Sequence, residues 1–363
     1  MKIVFVLPSA GGGGGAHSIV QEAVGLNRLG LDVSIATPRD LASKFRVKYP
    51  ELVARGVANP VYSSADNLKQ VLEGRDLAIA TTALSVRTVI ESHALLEKGR
   101  RPKLGYYVQD YEPLFYPPGS ANWMEAKESF GLMRDGLLFA KTDWLCSIVE
   151  ANHNVGVRRV QASIDHDVYY PVHQSGSGPL RITAMVRPQT QRRAPKRTVR
   201  SLERLASNFG EQVELSYFGC EPEDLERINV RHSPALVSLG VLSRAQVAAT
   251  LRHSDMFLDL SDFQAFGRTG LEAMACGCVP ILPVFGGTDE YAEHGLNSYL
   301  VDTRSDEQIF SAAAEFIQGR VGLRTEMRKH AIRTALRYSV GRAAYSEYEL
   351  FREYLQDRVL AAA

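Results

Sequence analysis

Ser261-Asp262-Phe263-Gln264-Ala265-Phe266-Gly267-Arg268-Thr269-Gly270-Leu271-Glu272-Ala273-Met274-Ala275-Cys276-Gly277-Cys278-Val279-Pro280 is the stretch on which the reading of this chain turns. The apolar run Met256–Ser261 reads as a buried strand, a loop bearing glycine follows, and helical periodicity begins near Arg268. First-turn amides of such a helix have no partners inside it and together carry about half a positive charge. They make a ready phosphate site. Glu272 lies one turn further in, on the face shared with Arg268 and Thr269, where a carboxylate can accept from both hydroxyls of a ribose. Gln264, at the loop tip, is placed to hydrogen-bond sugar hydroxyls. The competing reading makes Gly267 and Gly277 turn punctuation and Glu272 a solvated helix residue.

Outward from this stretch, short apolar runs alternate with longer helical segments, as in doubly wound parallel sheets covered on both faces. The first half has strand runs at Lys2–Leu7, Asp32–Thr37, Asp76–Thr81, Lys103–Gln109, Leu137–Ala140 and Arg158–Ser163, with helical segments such as Ala16–Leu29 and Leu84–Lys98 between them. A segment rich in proline, glycine and serine, Tyr169–Pro179, breaks the pattern. It restarts at Leu180–Val186, Val213–Gly219, Leu236–Leu239, Met256–Ser261, Val279–Leu282 and Ser298–Val301. The expected fold is α/β, with two Rossmann-like doubly wound domains at 1–170 and 180–344. The segment 345–363 has no strand to cover, so it is expected to form a helix that packs back on the first domain. Open parallel sheets bind ligands beyond the carboxyl ends of their strands, so two such sheets predict a cleft between domains.

Composition narrows the function classes. Forty-two basic and 41 acidic residues leave a net charge of +1, so no global field favours a nucleic-acid backbone. The opening Met1–Pro8 is too short for the apolar core of a signal peptide, and no apolar stretch reaches the roughly 20 residues that span a bilayer. The expectation is a cytoplasmic protein, at most peripheral at the inner face of the membrane. Cys146, Cys220, Cys276 and Cys278 lack CxxC spacing and are expected to be reduced packing residues, with no metal site.

Three further stretches carry chemistry. Met185–Arg197 leaves the first strand of the second domain with Arg187, Arg192, Arg193 and Arg197, and two guanidinium groups can neutralise a diphosphate bidentately without a metal. The alternative is a solvated basic loop; no aromatics interleave as they do in single-stranded nucleic-acid grooves. In the first domain Ser9–His17 includes Gly12, Gly13 and Gly14, whose bare backbone lets amides approach phosphate or sugar. The run fits a loose dinucleotide pattern, but the second strand ends Ala36-Thr37-Pro38-Arg39 without the acidic residue that would hold an adenosine ribose. Tyr106–Pro117 concentrates aromatics in one loop beside Gln109 and Asp110, suiting either sugar stacking or core packing.

The Gln264–Glu272 stretch resembles the nucleotide-sugar site of family 4 of the retaining glycosyltransferases, whose hallmark is two glutamates separated by seven residues, then Ala-Met-Ala, Gly and Pro. Here the second glutamate is Glu272 and glutamine, Gln264, stands for the first. Phe285–Tyr291 is similar to the family's glycine turn, and His294–Val301 to its Gly-x-Asn-Gly-x-Leu-Val ending. Ile164–Pro171 is similar to the signature closing the first lobe, which makes Asp165-His166-Asp167 a hinge rather than a metal site. The resemblance implies a GT-B fold with a donor site built from Gly12, Gly13, Gly14, Arg192, Gly267, Arg268, Thr269, Glu272 and Gly287. It implies catalytic roles for Arg187, Arg193 and Gln264. The Gln-Asp-x-Glu-Pro loop lacks the histidine many members carry and resembles a bacterial subgroup that includes rhamnosyltransferases of surface polysaccharides. Asp110 or Gln109 then stands beside the acceptor.

The activity so implied is metal-independent, cofactor-free transfer, with retention, from a dTDP-, UDP- or GDP-sugar to a saccharide or other hydroxyl-bearing acceptor. A nucleotide-sugar-binding protein without transfer activity, and an epimerase or phosphorylase of the same fold, are the rival expectations.

Overall fold

The computed structural model describes residues 1–172 and 178–361, and the chain divides into two units, Met1–Ser163 with Tyr338–Ala363, and Ile164–Arg337. In the first unit, β1 (Lys2–Val6), β2 (Asp32–Pro38), β3 (Val61–Tyr62), β4 (Leu77–Ala80), β5 (Lys103–Val108), β6 (Leu137–Ala140) and β7 (Arg158–Arg159) form a seven-stranded sheet. Its order is β3-β2-β1-β4-β5-β6-β7, and all its pairs are parallel. Register runs from Lys2↔Asp32 to Val6↔Ala36 on one side of β1 and from Ile3↔Leu77 to Val6↔Ala80 on the other. Continuous apolar runs make such strands because helices cover both faces: all four residues of β4 are buried.

The second unit repeats the plan with β8 (Leu180–Met185), β9 (Val213–Phe218), β10 (Val237–Ser238), β11 (Met256–Leu258), β12 (Val279–Pro283) and β13 (Tyr299–Val301), in the order β10-β9-β8-β11-β12-β13. In both sheets the winding direction reverses beside the first strand, between β1 and β4 and between β8 and β11. Loops leave such a reversal in opposite directions and open a crevice at the carboxyl ends of the two strands, so each unit has a place for a ligand fixed by topology.

The C-terminal helix Val340–Ala361 belongs to the first unit. Ala344, Leu350 and Phe351 join the core formed by the Gly14–Arg28 helix and the sheet. Gly25 makes the approach possible: a Cβ there would stand 2.7 Å from that of Ala344. Arg158 bonds Glu353 at 2.8 Å, and the Gln161 amide donates to Ser346 Oγ at 2.9 Å.

Several boundaries differ from the sequence expectation. The first unit ends at Ser163 rather than residue 170, because Ile164–Val172 is tied to the second unit. Asp165 pairs with Arg244 at 2.9 Å, Arg252 donates to the Val168 carbonyl at 2.9 Å, and the Arg252 guanidinium covers the Tyr170 ring. Likewise Tyr338–Ala344 belongs to the first unit, where the last helix begins. The strand expected over Arg158–Ser163 pairs only at Arg158–Arg159, and β3, two residues long, carries no period to read. His173–Ser177 of the expected linker, and Ala362 and Ala363 of the expected last helix, lie outside the described residues. No helix among the described residues is long and apolar enough to cross a membrane.

Candidate functional site

In the second unit the β8/β11 reversal gathers charge. Arg187 follows β8, and its guanidinium makes no hydrogen bond among the described residues. Burial and the Arg193 cation lower its pKa below the ordinary arginine value, while Asp259 and Glu272 act in the opposite sense. Arg193 ends the short turn Gln191–Arg193 and places Nη1 3.9 Å from Asp259 Oδ2. Arg187, Arg193, Asp259 and Glu272 therefore share one electrostatic neighbourhood. Arg192 is set differently, its guanidinium over the Phe263 ring at 5.5 Å and its carbonyl bonded to the Asp262 amide.

Asp259 was not legible as a site residue. It follows β11 directly, lies between Leu258 and Leu260, and is 5% exposed. Its carboxylate accepts from the Ser261 amide at 3.2 Å, from the Ser261 hydroxyl at 2.5 Å and from Gln264 Nε2 at 2.5 Å. A charged residue interrupting an apolar strand ending was the one available signal, since burial of a lone carboxylate is costly without such partners.

Gln264 faces inward rather than standing free at the loop tip. Its Nε2 is committed to Asp259 and to Ser261 Oγ, whereas no donor among the described residues reaches its Oε1. The backbone of Gln264 is bridged to the glycine turn, its amide donating to the Phe285 carbonyl and its carbonyl accepting from the Gly287 amide at 2.8 Å. Gly286 packs on that carbonyl so closely, at φ 112°, that a Cβ would lie 1.9 Å from the Gln264 oxygen. Gly287 and Gln264 are thus one piece of structure.

The next helix, Arg268–Ala275, starts from Gly267 in the left-handed region at φ 76°. Tyr291 donates its hydroxyl proton to the Gly267 carbonyl at 2.7 Å and, with Thr288, leaves no room for a side chain there. The Thr269 N–H finds no acceptor among the described residues, as expected of a helix start open to an anion. Arg268 Nε donates to Glu272 Oε1 at 2.8 Å, so Glu272 is a paired, buried carboxylate, not a solvated one. Burial raises its pKa, and Arg268, Arg244 and the Tyr169 hydroxyl oppose that rise.

The first unit holds the remaining expected residues at its β1/β4 reversal. Gly13 caps the Gly14–Arg28 helix. The Gly12 amide donates to the Tyr49 hydroxyl at 3.0 Å, Tyr49 meets His17 Nδ1 at 2.9 Å, and Lys48 Nζ donates to the Gly11 carbonyl at 3.0 Å. His17, Lys48 and Tyr49 thus fix the glycine loop, a role no local pattern announced. Gly15 faces Gln109, to which a Cβ would come within 3.1 Å. Asp110 accepts from the Tyr111 amide at 2.9 Å. Glu112 Oε1 takes the Ala83 amide, capping the helix Ala83–Ala94, and burial raises the pKa of this carboxyl to about 7.

Residues 192–335 match the family model described as Glycosyl transferases group 1. Over 233 residues, 64% of this chain, the sequence is 28% identical to the O-antigen biosynthesis protein RfbC of Myxococcus xanthus, and that stretch makes up 17% of RfbC. The chain therefore spans about a sixth of the length of that curated relative. HepE of Anabaena, solved in complex with UDP and glucose, superposes with a TM-score of 0.78 at 16% identity, covering 97% of this chain and 99% of that one. A glycosyltransferase from Rickettsia africae superposes with a TM-score of 0.76 at 15% identity, covering 98% of both chains. With two parallel-sheet Rossmann-like units, the chain has the GT-B fold.

Proposed function

We propose that this chain, which carries a glycosyl transferases group 1 domain on a GT-B fold, moves a sugar from a nucleotide diphosphate to an acceptor hydroxyl. The observation that carries the reading is Arg187, a largely buried guanidinium with no hydrogen-bond partner among the described residues, beside Arg193 at the topological reversal of the second unit. Such a cation calls for an anion, and a diphosphate supplies one. Arg187, Arg193 and the Thr269 amide bind the diphosphate, Glu272 accepts from the ribose hydroxyls, and the free Oε1 of Gln264 accepts from a sugar hydroxyl.

In the transfer step the bond between the anomeric carbon and the β-phosphate oxygen breaks while the acceptor oxygen bonds to that carbon on the same face. The acceptor proton passes to the departing phosphate oxygen. Arg187 and Arg193 stabilise the charge that develops on the diphosphate, a contribution larger in the transition state than in the bound donor. With two guanidinium groups in this role, no divalent metal is required. Asp110 of the first unit orients the acceptor.

RfbC is an O-antigen biosynthesis protein by its name, which favours a saccharide acceptor in surface-polysaccharide assembly, carried out in the cytoplasm or at the inner face of the membrane. HepE binds UDP and glucose, which puts UDP-sugars beside GDP- and dTDP-sugars, including dTDP-rhamnose, as donors to test.

Thermal shift against a panel of nucleotide sugars tests the donor site, because a ligand at a hundredfold its Kd adds about 2.7 kcal/mol of stability. The donor that stabilises is then offered with saccharide acceptors in the presence of a chelator, and the product's anomeric configuration is read by NMR. A flat response to every nucleotide sugar overturns the reading; inversion, or activity abolished by the chelator, overturns the step as written.

A further inference from the structure

We propose that Arg268 and Tyr169 are positioning residues that hold Glu272 as a carboxylate, ready to accept the hydroxyls of a ribonucleoside diphosphate ligand; the inference rests on the donor-site reading above. Glu272 sits one turn into the Arg268–Ala275 helix and is 6% exposed. A carboxyl in that position, left alone, takes up a proton, and a protonated carboxyl donates where the ligand also donates. The surroundings oppose this from several elements. Arg268, on the same helix, bonds Oε1 at 2.8 Å with its own side chain largely buried. Tyr169, buried in the segment Ile164–Val172, stands beside the carboxylate, where its hydroxyl favours the charged form.

Arg244, held by Asp165 at 2.9 Å, adds a second cation from the Arg244–Arg252 helix, and Arg187 adds a third from the loop after β8. Cys276, at the end of the Arg268 helix, completes the titratable groups around the carboxylate, its thiol pushed up to about 12 by burial. Of a carboxylate's roughly four acceptor positions, Arg268 takes one on Oε1, which leaves acceptor positions for a diol. The Arg268 contact also fixes the carboxylate's direction, because a side chain bonded at Oε1 cannot rotate freely.

The test reads ionisation and binding separately. Carbon-13 NMR of the Glu272 carboxyl, assigned with Glu272→Gln, is followed between about pH 6 and pH 8 in the wild type, Arg268→Met, Arg268→Lys and Tyr169→Phe. UDP-glucose is the binding probe, because its two phosphates are each esterified or bridged and do not titrate over that range. The wild-type carboxyl is expected to stay ionised, with affinity changing by less than about twofold. In Arg268→Met it is expected to titrate within the range, with affinity falling about tenfold or more as the pH drops. Arg268→Lys restores the wild-type profile. Tyr169→Phe gives a smaller shift of the same sign and, by deleting one hydroxyl, serves should the methionine variant fail to fold. An ionised Glu272 throughout the range in Arg268→Met and Tyr169→Phe overturns the roles of Arg268 and Tyr169, whatever happens to binding. An NMR titration as expected, with no UDP-glucose binding by the wild type, overturns the donor-site reading and leaves the ionisation result standing.

Discussion

Glu347 of the C-terminal helix lies against Glu22 of the Gly14–Arg28 helix, both fully buried inside the first unit. Glu22 is well supplied: Lys141 Nζ is 3.2 Å from Oε1, Ser163 donates to the same oxygen at 3.1 Å, and Tyr107 donates to Oε2 at 2.7 Å. Among the described residues no donor reaches either oxygen of Glu347. Two carboxylates and one lysine in a buried site leave one charge too many, so Glu347 carries a proton and donates it to Glu22. The network ties the Gly14 helix, β5, β6 and the C-terminal helix together behind the glycine loop and the Gln109–Asp110 loop.

Glu347 has a folded-state pKa far above its unfolded value. Its contribution is therefore fully present below the unfolded carboxyl pKa and is lost as pH rises through the folded one. Glu347→Gln, which keeps a donor facing Glu22 and cannot ionise, is expected to match the wild type near pH 5 and to be the more stable protein near pH 9. Urea denaturation at the two pH values checks this. A wild type that stays equally stable at alkaline pH sinks the shared proton.

Glu112 supplies a second linkage, in a range that is easier to reach. With a folded pKa of about 7 against an ordinary glutamate value near 4.3, the carboxyl binds its proton more tightly in the folded chain. Stability is present below about pH 4.3 and declines as pH rises through 7, by at most roughly 4 kcal/mol in all if the shift is fully expressed. Glu112→Gln retains the acceptor for the Ala83 amide and removes the titration. Its denaturation midpoint is expected to vary less between pH 5 and pH 8 than that of the wild type; parallel profiles refute the assignment.

How far the sequence could be read follows from what each signal depends on. Continuous apolar runs such as Leu77–Ala80 and Val279–Leu282 mark strands buried on both faces, because each run reports its own burial. The Gly267–Arg268 helix start and the basic turn after β8 are equally local, and the structure brings Arg187, Arg193 and Glu272 into one neighbourhood. What escaped was decided by partners distant in the chain. Asp259 acquires its meaning from Arg193 and Gln264, Tyr49 from His17 and Gly12, and Glu347 from a helix more than 300 residues earlier. The domain boundary moved for the same reason: Ile164–Val172 looks like the end of one lobe until Asp165 meets Arg244.

The glycine turn gives a prediction that separates sterics from backbone preference. At Gly286 a Cβ would collide with the Gln264 carbonyl as well as adopting φ 112°. At Gly295 the backbone is also left-handed, φ 73°, but the space is open. Gly295→Ala is expected to cost about 1 kcal/mol, the conformational penalty alone. Gly286→Ala is expected to cost about 3 kcal/mol or more and to weaken donor binding, because the Gln264 loop must move. Equal costs in chemical denaturation would mean that the Gln264–Gly286 packing is not as described.

Gln264→Glu tests why glutamine occupies a position where the resembled family has glutamate. In this chain the side chain must donate, since Asp259 Oδ2 lies 2.5 Å from Nε2, and the carboxylate stands at residue 259, within 3.9 Å of Arg193. A glutamate at 264 would set two buried carboxylates face to face. One must take a proton, so the pair acquires a raised folded pKa whose contribution is present at low pH and lost as pH rises through it. The variant is expected to lose about 2 kcal/mol at pH 8 and to regain most of it near pH 5, where a shared proton restores the missing donor. Adding Asp259→Asn to Gln264→Glu exchanges acceptor and donor across the same contact and is expected to recover stability at pH 8. Denaturation of the wild type and the single and double variants at both pH values decides the matter. A single variant as stable as the wild type at pH 8 would show that Gln264 is not the donor on which Asp259 depends.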